Sequence, residues 1–234
     1  MTKNFAHRGF SARYPENTML AFRKAIEAGC DGIELDVHLS RDGYLAVIHD
    51  ENVRRTTNGA GLVKDMTLDD LRRLDAGSNE RIPTLEEYFD MVETLSVITN
   101  IELKNNSIWY QGMEEKLVET VRRRHLEDRV IFSSFNHYSI LKCKALAPEI
   151  RCGFLYNCWI INAGAYAREH GVECVHPEHH SLTADILAEM RENNIAVNTW
   201  TVNDREDMER LLRLNVDSII TNDPALLAGV LGGR

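Results

Sequence analysis

The 234-residue sequence predicts a (β/α)₈ barrel with a small insertion after the second strand. Three observations lead there. Strand-like aliphatic runs alternate with helix-periodic segments along the whole chain, eight of each. The alternation breaks once, between about residues 41 and 81. The polar residues hardest to explain as packing fall at the C-terminal ends of the predicted strands, where a parallel barrel gathers its chemistry. A doubly wound open sheet is the runner-up. The chain reads as one domain, with no low-complexity stretch.

Taken in order, Lys3–Ala6 is a strand running into His7-Arg8-Gly9. Pro15-Glu16-Asn17-Thr18 opens a helix with Asn17 as N-cap; Met19, Phe22 and Ile26 keep helical spacing and Gly29 stops it. The next strand surrounds Glu34. Arg41-Asp42-Gly43 is a tight turn into a short strand, Tyr44–Ile48, and Thr56–Gly61 is a polar loop. Thr84, with Glu87 three residues on, caps a helix reaching Glu93. Val97–Leu103 is a strand, and Met113, Leu117 and Val121 stripe the following helix. Strands at Arg129–Ser134, Cys152–Tyr156, Glu173–His176, Ile195–Val202 and Asp217–Thr221 then alternate with helices at Tyr138–Leu146, Ala163–His170, a Thr183-capped segment, an Asp204-capped segment and Pro224–Leu231.

Composition narrows the function. Apolar content of 44% and charged content of 27% are those of a globular protein with room for a large core. A net charge of −9 argues against nucleic acid and against stable attachment to an anionic membrane, but leaves room for a small anion met by local positive groups. No run has transmembrane length, and the N-terminus lacks the apolar stretch of a secretory signal. The five cysteines are scattered, with no C-x-x-C pair, which suits reduced thiols without a zinc site. The expectation is a cytoplasmic protein.

The chemistry centres on Gly32–Asp50. Glu34, Asp36 and His38 alternate with Ile33, Leu35 and Val37, so a β-strand places both acids on one face, roughly 7 Å apart along the backbone. Burying them unpaired is costly, whereas a divalent cation makes the pair favourable. Strand ends bring His7, Arg8, Glu102 and Lys104 to the same mouth, with Trp200 near the end of the seventh strand and His49 arriving from the insertion. Three carboxylates without cysteine suit a hard ion, Mg²⁺, Ca²⁺ or Mn²⁺. Arg8 and Lys104 suit phosphate oxygens, and two histidines suit acid–base work near neutral pH. Each residue alone has a plainer role: Arg8 pairing with Glu16, Glu102 with Lys104, Trp200 as core. Their joint placement favours a site. The other histidines (His38, His137, His170, His176, His179 and His180) are read as surface or loop residues without ligand-like spacing, with His38 set apart because it shares strand parity with Glu34 and Asp36.

Over nearly its whole length the sequence resembles the glycerophosphodiester phosphodiesterase family. The resemblance rests on AHRG (6–9), PENT (15–18), GIELDV (32–37) followed by RDG, VIHD (47–50), RTTNGAG (55–61), IPTLEE (82–87), IELK (101–104) and WTVN (200–203), in that order. It implies a (β/α)₈ barrel with an insertion after strand two. It also implies one divalent cation held by Glu34, Asp36 and Glu102, and a catalytic pair, His7 and His49. Arg8 and Lys104 would contact the phosphate, Trp200 would line the substrate, and Glu16 would orient Arg8. The implied reaction is hydrolysis of a small glycerophosphodiester to glycerol 3-phosphate and an alcohol. A lipid phosphodiesterase of the lysophospholipase D or sphingomyelinase D type, and a non-catalytic phosphate-binding barrel, are the alternatives. The sequence shows no apolar docking segment to favour the former.

Overall fold

The computed structural model describes residues 1–232. Eight parallel strands close into a ring: β1 (Lys3–His7), β2 (Gly32–Leu39), β4 (Ile98–Leu103), β5 (Val130–Ser134), β6 (Arg151–Tyr156), β7 (Cys174–Pro177), β8 (Ala196–Thr199) and β9 (Ser218–Thr221). The ring closes because β1 pairs in parallel with both β2 and β9. The remaining strand, β3 (Leu45–Val47), lies outside it, antiparallel to β2. The helices are α1 (Met19–Glu27), α2 (Leu68–Arg72), α3 (Leu85–Val92), α4 (Met113–Arg123), α5 (His137–Leu146), α6 (Ala163–Glu169), α7 (Ala184–Glu192), α8 (Arg205–Arg213) and α9 (Pro224–Gly232). All but α2 follow the barrel strands. The barrel is therefore closed, and the open-sheet alternative falls away.

Alternation along the strands divides the interior in two. Outward residues such as Ile33, Leu35, Ile101, Phe132 and Val175 join the helices in one large apolar cluster. Inside the barrel, Phe5, Ile131, Cys174 and Ile220 make a smaller plug. The remaining inward positions on β2 and β4 are Glu34, Asp36, Asn100 and Glu102, all buried. A parallel strand buried on both faces normally reads as continuous aliphatics. Here the aliphatics face the helices and the acids face inward.

Local signals placed most elements correctly. Thr84 and Glu87 form a reciprocal capping box on α3, and the Thr183 hydroxyl caps α7. The N-cap of α1 is corrected: Thr18, not Asn17, accepts from Ala21 N at 3.2 Å. Asn17 instead adopts φ 55°, and its amide donates to Asp36 Oδ2 at 2.8 Å. Asp204 stands at the N-cap of α8 without a side-chain cap bond.

The insertion is more ordered than a polar loop. It hairpins through β3, makes two short 3₁₀ turns and adds α2, itself closed by a Thr67–Asp70 capping box. Ala46, Ile48, Val53, Val63, Leu71 and Ile82 give it an apolar core of its own. That core fixes the chain on either side of His49-Asp50, and so positions a histidine that no barrel strand carries.

Candidate active site

One cavity of about 370 Å³ opens at the C-terminal end of the barrel, lined among others by His7, Arg8, Glu34, His49, Glu102, Lys104 and Trp200. Asp36 lies beneath it, fully buried. The structure thus brings together every residue singled out for the metal, phosphate and acid–base roles.

The carboxylates converge. Glu34, Asp36 and Glu102 each offer an oxygen within 4.8 Å of the others. Burial and the neighbouring Asp36 and Glu102 charges push Glu34 well above the usual carboxylate range. Burial likewise pushes Glu102 up to about 7, although Lys104 opposes it. Asp36 goes the other way: burial works against its charge, but Arg8 and Lys104 hold it low. Arg8 and Lys104 alone therefore do not neutralise three buried acids. Asp36 Oδ1 is moreover buried without a hydrogen-bond partner. Three hard oxygen donors, excess negative charge and an orphaned oxygen fit a divalent cation.

Three ion pairs tie the cations to this cluster. Lys104 Nζ donates to Glu102 Oε1 at 2.7 Å and lies 3.8 Å from Asp36 Oδ1. Arg8 donates to Glu16 Oε1 at 2.9 Å, with its Nε 3.4 Å from Asp36 Oδ2. Arg8 holds φ 56°, a strained conformation for a bulky residue, kept by its N–H donating to Glu34 O at 2.8 Å. The next residue must be glycine: a Cβ on Gly9 would meet Ala21 backbone carbon at 2.7 Å. This accounts for His-Arg-Gly as a unit.

The histidines are each fixed through Nδ1. His49 Nδ1 donates to Asp50 Oδ1 at 2.6 Å, and its Nε2 accepts from Lys104 Nζ at 3.1 Å. Asp50 stays ionised, held at about 2 against burial by hydrogen bonds from Arg55 and His49. His7 Nδ1 donates to Asn222 Oδ1 at 2.6 Å, leaving its Nε2 3.9 Å from Glu34 Oε2. Burial, then the Arg8 charge, lower His7 to about 4. His7 Nε2 thus faces Glu34, and His49 Nε2 faces Lys104.

Several functional neighbours were missed in the sequence. Arg55 binds Asp50 Oδ2 at 2.6 Å and both oxygens of Glu16, joining the His49 and Arg8 supports into one network. Its place in RTTNGAG was the available signal. Asn222 and Asp50 had none beyond adjacency to assigned segments. Phe135 packs edge-on against Trp200 at 5.6 Å between ring centroids, and both line the cavity; the Trp200 indole N–H donates to His176 O at 2.8 Å.

The reading of the remaining histidines needs correction. His38, His176 and His179 are buried, at 0%, 1% and 6% exposure. His38 is the last residue but one of β2, where its Nε2 donates to His49 O at 3.0 Å and its Nδ1 accepts from Tyr110 OH at 2.9 Å. His176 points into the barrel from β7; a Cβ at Gly153 would lie 2.4 Å from its ring, so a glycine makes room for it. Donor atoms of Glu178, His179 and His180 also lie within 4.8 Å of one another, a grouping that linear spacing did not reveal.

The glycerophosphoryl diester phosphodiesterase family model matches residues 7–226. The chain belongs to this family. It is 44% identical over 233 residues to a glycerophosphodiester phosphodiesterase of Caldanaerobacter subterraneus, covering 97% of this chain and 96% of that one. A glycerophosphodiester phosphodiesterase of Bacillus altitudinis is 42% identical, with 96% of each chain covered. Among solved structures, an Oleispira antarctica phosphodiesterase in complex with the product sn-glycerol-3-phosphate superposes with TM-score 0.87 at 28% identity, covering 97% of this chain and 96% of that one. The chain is accordingly a phosphodiesterase on a (β/α)₈ barrel. Among the described residues no helix is long and apolar enough to cross a membrane.

Proposed function

We propose that this chain hydrolyses small glycerophosphodiesters, such as glycerophosphocholine and glycerophosphoethanolamine, to glycerol 3-phosphate and an alcohol, with one divalent cation. The observation that carries this reading is the convergence of two imidazole Nε2 atoms, Arg8 and Lys104 on one three-carboxylate cluster.

Glu34, Asp36 and Glu102 would hold the cation, which would supply Lewis-acid stabilisation of the phosphate when bound. Arg8 and Lys104 bind the non-bridging oxygens and offset the charge that builds in the transition state. His7 and His49 divide the proton transfers: one takes a proton from the nucleophile, either water or the glycerol 2-hydroxyl, and the other gives one to the departing alcohol. Attack by the 2-hydroxyl forms a cyclic phosphodiester that water then opens to glycerol 3-phosphate. Asn222 and Asp50 hold the two rings so that each Nε2 faces the reacting centre. Glu16 orients Arg8, and Trp200 with Phe135 forms an apolar wall against the substrate. The test is incubation with glycerophosphocholine and Mg²⁺, Mn²⁺ or Ca²⁺, assaying glycerol 3-phosphate and choline phosphate separately. Glycerol 3-phosphate with choline supports the reading. Absence of both phosphates with every metal contradicts it.

One observation favours a second reading, a lysolipid diester as substrate. Trp109, Tyr138, Trp159 and Ile161 are exposed at 61%, 82%, 67% and 89%. They sit beyond the C-terminal ends of β4, β5 and β6, at the cavity end of the barrel. Faster turnover of lysophosphatidylcholine than of glycerophosphocholine would establish this reading in place of the first.

A further inference from the structure

Lys104 stands one residue beyond β4, where the sheet gives out. Pairing with β2 ends at Leu103 and pairing with β5 at Glu102. The Lys104 N–H still donates to Val37 O at 3.1 Å; on the β5 side, side chains take over from the ladder. The Ser134 hydroxyl lies 2.9 Å from Leu103 O and 3.1 Å from Asn105 Oδ1, sharing its proton between them. The Asn136 amide donates to Asn105 O at 3.3 Å. The Asn105 amide nitrogen donates to Glu114 Oε1 at 2.9 Å and to the Ser139 hydroxyl, which itself donates to Glu114. Both residues flanking Lys104 are thus tied to the junction of β5 and α5, and Asn105 is tied to α4 as well.

Glu114 ends this run of bonds. It is 0% exposed, with Lys142 Nζ 3.1 Å from its Oε2. Burying a carboxylate carries a desolvation cost that a leucine of similar size would avoid. A leucine could not accept from Asn105. A carboxylate only accepts, so it also sets which way the Asn105 amide faces, nitrogen toward α4 and oxygen toward Ser134. We infer that Asn105 and Glu114 are positioning residues for Lys104: they hold the chain just past β4 so that Lys104 Nζ reaches the phosphate oxygens. This rests on the role proposed for Lys104 above. Neither residue lines the cavity, so each acts only through the lysine. A shift of about 1 Å in such a group is enough to weaken function.

The test measures affinity for inorganic phosphate, with Mg²⁺ present, in Asn105→Ala, Glu114→Leu and Glu114→Gln, each checked for folding by a thermal melt. Asn105→Ala and Glu114→Leu should each bind phosphate about tenfold more weakly. Glu114→Gln keeps an oxygen for Asn105 and should stay near wild type. Mn²⁺ affinity should hold in all three. Both damaging substitutions are then repeated in a Lys104→Ala background, where residues acting through the lysine cause no further loss. Equal losses on both backgrounds would mean a general loosening of the barrel and would overturn the inference. So would weakened Mn²⁺ binding, a glutamine variant as weak as the leucine one, or wild-type phosphate affinity in folded Asn105→Ala or Glu114→Leu. Should one of these two variants not fold, the other carries the same comparison. Lys104→Ala that binds phosphate as wild type does would overturn the role of Lys104 itself, and this inference with it.

Discussion

His7 Nδ1 donates to Asn222 Oδ1 at 2.6 Å, so the end of the first barrel strand is tied by a side-chain bond to the residue just past the last one, beside the candidate active site. An amide oxygen can only accept, which fixes the proton on Nδ1 and leaves the Nε2 lone pair toward the acids. Replacing Asn222 with leucine should free the ring and lower kcat by about 10- to 100-fold, the usual loss when a supporting hydrogen bond is removed. Steady-state kinetics check this, with a thermal melt to confirm folding. A folded variant with wild-type kcat would remove Asn222 from the account.

Arg55 makes the corresponding prediction on the other histidine. Its guanidinium spans Asp50 and Glu16, which respectively hold His49 and Arg8. Arg55→Ala should reduce kcat/KM by about tenfold or more, and Arg55→Lys should not restore it, because an ammonium does not reproduce the bidentate fork. Full activity in the lysine variant would show that charge alone matters at this position.

The two proposed roles also separate experimentally. His7→Ala and His49→Ala should each lose about 100-fold or more in kcat, the scale of acid–base catalysis, while binding the cation as wild type does. Glu34→Ala should weaken cation binding itself. Calorimetric titration with Mn²⁺ distinguishes them, and unchanged Mn²⁺ affinity in Glu34→Ala would remove that residue from the ligand set.

A pH prediction falls on His176, away from the carboxylates. Burial lowers it to about 3, so the folded protein keeps it neutral while the unfolded chain protonates near 6.5. Between those values the unfolded state binds the extra proton, so stability falls as pH falls through this window. From pH 6 to pH 5 this one group should cost about 1 kcal/mol. Urea unfolding should show wild type losing about that much more than His176→Gln over the interval. Equal losses would mean that His176 is protonated in the fold.

The barrel was legible because its signals are local and repeated: strand-length aliphatic runs, a capping box at Thr84, an N-cap at Thr183, and a stop at Gly29. The acids of β2 and β4 were legible because inward alternation exposes them in the sequence. What escaped depends on closure of the ring. Asn222 lies 215 positions from His7, and nothing near either residue announces their bond. Asn17 reads locally as a helix cap, but a tertiary bond to Asp36 takes its side chain and leaves the cap to Thr18. His176 reads as a strand-end polar residue, and only the space left by Gly153 shows that it belongs inside.

In the proposed function the three carboxylates need a cation to work with the histidines. Its most direct test strips the protein with EDTA, then follows glycerol 3-phosphate release from glycerophosphocholine as Mg²⁺, Mn²⁺ or Ca²⁺ is returned. The account predicts no turnover in the stripped protein and recovery with at least one of these ions, at higher ion concentration in Glu34→Ala. Full turnover in the stripped protein would contradict it.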